Sequence, residues 1–269
     1  MNARKRKTPE TVLITGASSG IGEALARRFA AGGCDLVLVA RSADKLRSLA
    51  KVLSAQHQVK TWVEATDLAK PGAARDLAAT LKRKRRRVDI LVNNAGINEQ
   101  GAFVAMAPER SQELIDLNVG VPTAMLSYFV PPMVSRGHGR VLNVASTSSF
   151  FPVPTMATYA ATKAYLLSLT ESLSEELKGT GVSITALCPG VTDTNMMSAI
   201  HKANEKTKRL PGIVVADVGE VAAEGYEACV NGEVIRVPGA VNLMTTLSGR
   251  AMPKWIVRRI AGMVGRKAM

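Results

Sequence analysis

Short runs of branched and aliphatic residues recur along this chain, and each is followed by a stretch with helical spacing. The runs fall at residues 11–15, 35–40, 59–64, 88–92, 140–145, 182–187 and 233–237. Helical stretches fall at 23–31, with Gly32 and Gly33 as a stop, and at 43–55, with Ser42 as N-cap. Another starts at about Pro71 and runs into the cations at 82–87. Helical sequence then continues to 135, with Pro122 and Pro131 marking bends or ends, and recurs at 157–178 and from Asp217. Strands apolar on both faces, separated by helices, belong in a parallel sheet covered on two sides. The predicted fold is therefore one doubly wound, Rossmann-type α/β domain of about seven strands over residues 11–237. A basic tail expected to be disordered precedes it at 1–10, and a basic extension follows it at 238–269.

Hydrophobic residues make up 46% of the chain, enough for a large core. Two long stretches lack charge, 117–135 and 141–162, but Pro, Ser, Thr and Asn interrupt them, so they read as buried segments rather than membrane spans. Cys34, Cys188 and Cys229 lie far apart, as do His57, His138 and His201, which predicts neither a disulfide framework nor a metal site. The opening residues are polar and carry no secretory signal, and a reducing compartment such as the cytoplasm is expected.

The first strand runs at once into Gly16-Ala17-Ser18-Ser19-Gly20-Ile21-Gly22. Gly16 permits a tight turn, Gly20 lets backbone approach a pyrophosphate, and Gly22 allows close packing of helix and strand. The helix that follows offers free N–H groups and the positive end of its dipole to phosphates. The loop predicts a dinucleotide site.

The glycine spacing G-x-x-x-G-x-G resembles that of the short-chain dehydrogenase/reductase family, and further motifs follow in the family's order. Asn93-Asn94-Ala95-Gly96 matches the family's N-N-A-G after the fourth strand, and Asn118 matches its active-site asparagine. Ser146 lies three residues past Asn143 and thirteen before Tyr159, and Tyr159 with Lys163 forms Y-x-x-x-K. Pro189, Gly190 and Thr194 fit its P-G-x-x-x-T. The resemblance spans about 11–237 and implies an oxidoreductase that moves a hydride between a nicotinamide nucleotide and a carbonyl or alcohol. It also implies cofactor contacts at Ser18, Ser19, Ile21, Asp67, Leu68, Asn94, Ala95 and Gly96, and a homodimer or homotetramer joined through the long helices.

Tyr159 and Lys163 are four apart on a predicted helix and so share one face. A neighbouring ammonium favours a phenolate and lowers a tyrosine's pKa. Tyr159 is therefore the expected acid in reduction and base in oxidation. Ser146 is expected to hydrogen-bond the substrate oxygen, with Thr147 and Ser148 as pocket wall. By resemblance Lys163 also holds the nicotinamide ribose, and Asn118 holds a water that links Lys163 to solvent.

The second strand ends at Ala40, without the acidic residue that binds a ribose 2′-hydroxyl, and Arg41 follows. Arg41 can pair with a 2′-phosphate, so NADP(H) is the expected cofactor. Phe150, Phe151, Val153 and Pro154, with Met196, Met197 and Ile200, would line an apolar pocket for a lipophilic ketone or serve as ordinary core.

The chain carries a formal net charge of +13. Such a field attracts anions, and a non-catalytic NADP(H) sensor or a nucleic-acid-binding regulator is the competing reading. No aromatic platform or recognition motif accompanies the cations at 82–87, so nucleic acid is not the expected partner. In the extension, Met252, Ile256, Ile260, Met263 and Val264 fall within about 120° of a helix that starts near Pro253. That helix is expected to dock on the protein's own body, on a second subunit, or peripherally on an acidic membrane.

Overall fold

The computed structural model of the chain describes residues 9–192 and 216–268, with side chains of the last helix as far as Met263. Strands β1 (Thr11–Thr15), β2 (Asp35–Ala40), β3 (Thr61–Ala65), β4 (Ile90–Asn93), β5 (Gly139–Val144), β6 (Val182–Leu187) and β7 (Ile235–Arg236) form one sheet. Its order is β3-β2-β1-β4-β5-β6-β7, and every neighbouring pair is parallel. The chain runs outward from β1 to β3, then returns to β4 on the other side of β1. Where the strand order reverses, the carboxyl ends of β1 and β4 part and leave a crevice for a ligand.

Alternate residues of each strand feed the two cores. Val12 and Ile14 face helices α1 (Gly20–Ala31), α2 (Ala43–His57) and α7 (Val218–Asn231), packing among Leu25, Phe29, Leu46 and Val221. Leu13 faces the other side, where α3 (Ala73–Arg83) and α5 (Val121–Arg136) supply Leu77, Leu81, Met125 and Met133. Each of these fully buried large side chains stabilises the fold by about 1.5–3 kcal/mol.

Several boundaries differ from the sequence expectation. Helix α1 begins at Gly20 rather than 23. Helix α2 runs on to His57, where Gln58 turns left-handed at φ 58°, and β3 therefore starts at Thr61 rather than 59. Pro71 does not open α3, because Gly72 occupies the capping position at φ 77°. Strand β4 begins at Ile90 because Asp89 is engaged by the N–H of Thr11 at 3.0 Å and by Arg87 at 2.8 Å. Ser42 precedes α2 but makes no side-chain capping bond, whereas Asp217 caps α7 by accepting from the N–H of Glu220 at 3.0 Å.

The prolines at 122 and 131 were expected to bend or end a helix. Helix α4 (Pro108–Ile115) instead continues through one π-turn (Asp116–Gly120) into α5. Pro131 and Pro132 sit inside α5 on its exposed side, where water can satisfy the carbonyls they free, while Met133 stays wholly buried. By length and composition this helix could cross a bilayer, but Val121, Leu126 and Val130 pack into the core beside α3. The cations at 82–87 are partly used within the fold. Lys84 pairs with Glu64 at 2.6 Å, and the Arg86 guanidinium lies 3.9 Å from the Trp62 ring centroid.

Candidate active site

Beyond β1 the chain turns at Gly16, whose φ of +67° few L side chains adopt. A Cβ there would lie 2.7 Å from Nδ2 of Asn94, and a Cβ on Gly22 would lie 2.3 Å from the Gly16 carbonyl oxygen. Side chains at either position would force apart the loop and the helix it feeds. Ser19 stands at the N-cap of α1 without a side-chain capping bond, which leaves first-turn N–H groups for a ligand.

The N-N-A-G segment locks this loop to β4. Nδ2 of Asn94 donates to the carbonyls of Thr15 and Gly16 at 2.9 and 3.2 Å. The N–H groups of Asn94 and Ala95 both donate to Oγ1 of Thr15 at 3.0 Å, and that hydroxyl donates to the Val92 carbonyl at 3.2 Å.

A cleft of about 790 Å³ opens over these strand ends. Gly16, Ser18, Ser19, Gly20 and Ile21 line it from the loop, Arg41 from the end of β2, and Asp67 and Leu68 from the end of β3. Asn94, Ala95, Gly96, Ser146, Tyr159, Lys163, Pro189 and Gly190 complete the expected set. Gly22 and Asn118 do not line it, Gly22 lying under the turn and Asn118 behind Ile97. Thr194, Met196, Met197 and Ile200 lie outside the described residues. Asp67 spends one carboxylate oxygen on the N–H of Ala69 at 3.2 Å.

Ser146 leaves β5 in extended conformation and starts a 3₁₀ turn, Thr147–Ser149. The Ser148 hydroxyl donates to the Ser146 oxygen at 2.8 Å, and the Ser148 N–H does so at 3.2 Å. Ser148 is thus more than pocket wall: by filling the acceptor side of Ser146 it leaves that hydroxyl's own proton to point elsewhere. The turn is pinned by the Thr147 N–H, which donates to the Pro189 carbonyl at 2.9 Å.

Helix α6 (Ala157–Glu176) carries Tyr159 and Lys163 on the face toward the cleft. Lys163 is 6% exposed, and its Nζ donates to the Val144 carbonyl at 2.8 Å. Burial lowers its pKa to about 8, against a smaller opposing influence of Cys188. The ammonium lies 5.8 Å from the Tyr159 ring centroid. Burial also raises the Tyr159 pKa, and only its interaction with Ser146 pulls it back. Burial is thus the larger influence on Tyr159, while the Lys163 ammonium beside its ring is held on a backbone carbonyl. A phenol that keeps its proton beside a serine hydroxyl is a proton donor to an incoming oxygen.

Asn118 sits in the π-turn, a distortion common at functional sites. Its side chain accepts from the Ile97 N–H and donates to the Ile97 carbonyl, both at 2.9 Å, and donates to Thr162 at 3.2 Å. Thr162 in turn donates to the Tyr159 carbonyl at 2.7 Å. Asn118 therefore ties the loop after Gly96 to the helix that bears Tyr159. Gly96 leaves room for this: a Cβ there would lie 2.9 Å from Asn118 Oδ1 and 3.6 Å from Lys163 Nζ.

Sequence reasoning missed two parts of the site. Lys45, in the first turn of α2, lines the cleft with Arg41, and no spacing rule signals it because Arg41 lies before the helix. Helix α8 (Ala240–Ala251) packs beside the cleft: the Asn242 side chain covers Gly190, and Gly249 faces Phe151.

Residues 10–205 match the family model described as short chain dehydrogenase. The oxidoreductase UcpA of Escherichia coli is 35% identical over 230 residues, which cover 80% of this chain and 87% of that protein. A short-chain dehydrogenase from Sphingobium yanoikuyae, solved in complex with NADPH, superposes with a TM-score of 0.79 at 34% identity, over 89% of this chain and 92% of that one. The bulky-bulky ketone specific alcohol dehydrogenase from Comamonas testosteroni does so with a TM-score of 0.77 at 31% identity, over 91% and 93%. With its phosphate loop, its serine, tyrosine and lysine gathered at one cleft, and these likenesses, the chain belongs to the short-chain dehydrogenase family of oxidoreductases.

Proposed function

We propose that the chain reduces a bulky, lipophilic ketone with NADPH, or oxidises the matching alcohol. The observation that carries the cofactor choice is the corner of the cleft beyond β2. Ala40 leaves no carboxylate there to receive a 2′-hydroxyl, and Arg41 and Lys45 line the cleft, exposed and without an ion-pair partner among the described residues. Two cations fit a 2′-phosphate and have no role toward a 2′-hydroxyl. The fit of a dinucleotide rests further on Gly16 and Gly22, where a Cβ would obstruct the cradle, and on the uncapped start of α1.

The bound nicotinamide supplies the hydride in reduction and accepts it in oxidation. Tyr159 donates its proton to the carbonyl oxygen, and Ser146, oriented by Ser148, hydrogen-bonds that oxygen as charge develops on it. Lys163 places a positive charge beside Tyr159 and, lining the cleft, would hold the nicotinamide ribose of a bound cofactor. Asn118 and Thr162 fix the height of Tyr159 against the loop after Gly96. Ile97, Leu117, Phe151, Val153, Met156 and Val191 give the remaining wall an apolar character, which favours a lipophilic substrate. The ketone specificity of the Comamonas relative supports the same reading. We also propose a cytoplasmic homo-oligomer, with Tyr128 and Val134 of α5 and Tyr165 of α6 exposed for subunit contact.

The test is a panel of bulky ketones assayed with NADPH and with NADH. NADPH-dependent turnover that Tyr159→Phe abolishes supports the reading. A purified protein that binds NADPH yet turns over no member of the panel would overturn it.

A further inference from the structure

Helix α8 is amphipathic with its faces reversed. At about 100° per residue, Asn242, Thr246, Gly249 and Arg250 lie within roughly a 100° arc. This polar and small face is the docked one. Thr246 is 2% exposed, Asn242 lies on Gly190, and Gly249 faces Phe151, where a Cβ would lie 3.3 Å from Cδ1. Arg250 reaches Glu171 of α6 at 2.9 Å and lies 5.2 Å from the Phe150 ring centroid. Val241, Leu243, Met244 and Leu247 occupy the opposite side and are 57%, 42%, 64% and 53% exposed. A helix on a soluble body normally buries such a stripe.

The last helix, α9 (Lys254–Ala268), follows two residues after α8. It leans inward by Ile256 and Val257, which are half-buried, while Trp255, Ile260 and Met263 are 59%, 44% and 49% exposed. From 238 to 269 the chain has six cations, at 250, 254, 258, 259, 266 and 267, and no aspartate or glutamate.

We propose that α8 and α9 dock on the surface of a lipid bilayer rich in anionic headgroups. Exposed leucine, methionine and tryptophan side chains enter the acyl boundary, and the exposed cations Lys254, Arg258 and Arg259 meet the phosphates. Charge complementarity selects this occupant. A second copy joined by two-fold symmetry would set the same cationic patch against itself. The docked face of α8 lies on Phe151 and Gly190, both part of the cleft lining, so one helix separates the bilayer contact from that wall of the cleft. On the reductase reading above, a lipophilic ketone then passes from membrane to cleft without crossing bulk water. The docking itself does not depend on that reading.

The experiment is flotation of the full-length protein with vesicles of phosphatidylcholine, with and without phosphatidylglycerol, at low and high salt. Trp255 emission is recorded alongside. The only other tryptophan, Trp62, is stacked under Arg86 and serves as a constant background. Expected are binding only to the anionic vesicles, a blue shift of emission on binding, and release by salt. Met244→Glu with Leu247→Glu should weaken binding at least about ten-fold, since two large apolar side chains lose their burial. Arg258→Gln should weaken it about five-fold. An unchanged circular dichroism spectrum and melting temperature for each variant show that the fold is intact. The proposal is overturned if the protein does not float with anionic vesicles, or if the double variant floats as well as the parent. It is equally overturned if the double variant splits an oligomer whose Trp255 emission is already blue-shifted and unmoved by vesicles, for then a second copy covers the face.

Discussion

One hydroxyl makes three of the bonds that join the phosphate loop to β4, so replacing Thr15 by valine tests the construction of the site at a single side-chain group. The Thr15 side chain is 1% exposed and makes three hydrogen bonds, accepting from Asn94 and Ala95 and donating to Val92. Valine keeps the branched shape and the strand preference, so neither a cavity nor a loss of propensity complicates the change. Two N–H groups and one carbonyl lose their partner. An unsatisfied buried group costs about 1–3 kcal/mol, which would give roughly 2–6 kcal/mol for the two donors. Asn94 and Ala95 are half-buried at the cleft floor, where water relieves part of this, so the lower end, about 2–3 kcal/mol, is expected. In a chain of this size that lowers Tm by roughly 4–12 °C. The assay is urea unfolding of the protein without cofactor, with Thr15→Ser as the control that keeps the hydroxyl. NADPH affinity should fall in the valine variant alone, because the N–H groups of Asn94 and Ala95 lose their anchor and only the Asn94 side chain still holds the Gly16 turn. A loss of stability below about 1 kcal/mol, or equal losses for valine and serine, would refute the role given to this hydroxyl.

Tyr159→Phe should remove nearly all turnover while NADPH binding, measured by fluorescence titration, stays within a few-fold. Arg41→Glu should shift the ratio of kcat/KM values from NADPH toward NADH by about 10- to 150-fold, the equivalent of a charge-assisted contact; equal use of both cofactors by the parent would exclude that contact. Lys163 releases its proton near pH 8 in the fold rather than at its ordinary value of 10.5, so the folded chain holds fewer protons than the unfolded one between these limits. Stability of the cofactor-free protein should therefore rise from about pH 8 toward 10.5, since the penalty for the buried ammonium is fully present below 8 and fades above it, and Lys163→Met should flatten that rise. Reduction should decline over the same range, because the charge behind Tyr159 is lost there; a flat pH–rate profile from 7 to 10 in the parent would contradict this assignment.

The inner sheet was legible because β1, β2, β4, β5 and β6 are buried on both faces, and such strands write themselves as unbroken apolar runs. Residues 35–40 and 182–187 coincide with β2 and β6 to the residue. Boundaries failed where a backbone special overrode the pattern. Gly72 and Gln58 adopt left-handed conformations that no periodicity signals, and the Pro131-Pro132 pair reads as a helix end although it sits harmlessly on a solvent face. The residues of the site were readable one by one from their spacing, because loop turns and strand ends fix where they meet. Their mutual electrostatics were not. Spacing put Lys163 beside Tyr159, as the fold does, but did not show that the ammonium rests on the Val144 carbonyl or that burial is the largest influence on both groups.

The C-terminal extension marks the limit of amphipathic reasoning. A periodic stripe says which residues share a side of a helix, and the usual inference that this side faces inward is a statement about the surroundings. The body beside α8 offers Phe150, Phe151, Gly190 and Glu171, a surface with close approach at a glycine and one carboxylate. Such a surface is matched by Asn242, Gly249 and Arg250 better than by Val241, Met244 and Leu247. Polar complementarity therefore fixes the orientation of α8, and the apolar side is left outward as a consequence. The sequence reading recognised only the last helix, whose cations announce it, and passed over α8, where Thr245, Thr246 and Gly249 dilute the helical signal. Those same small and hydroxyl-bearing residues let α8 lie flat against the cleft wall. What weakens the pattern in sequence is what seats the helix beside the active site.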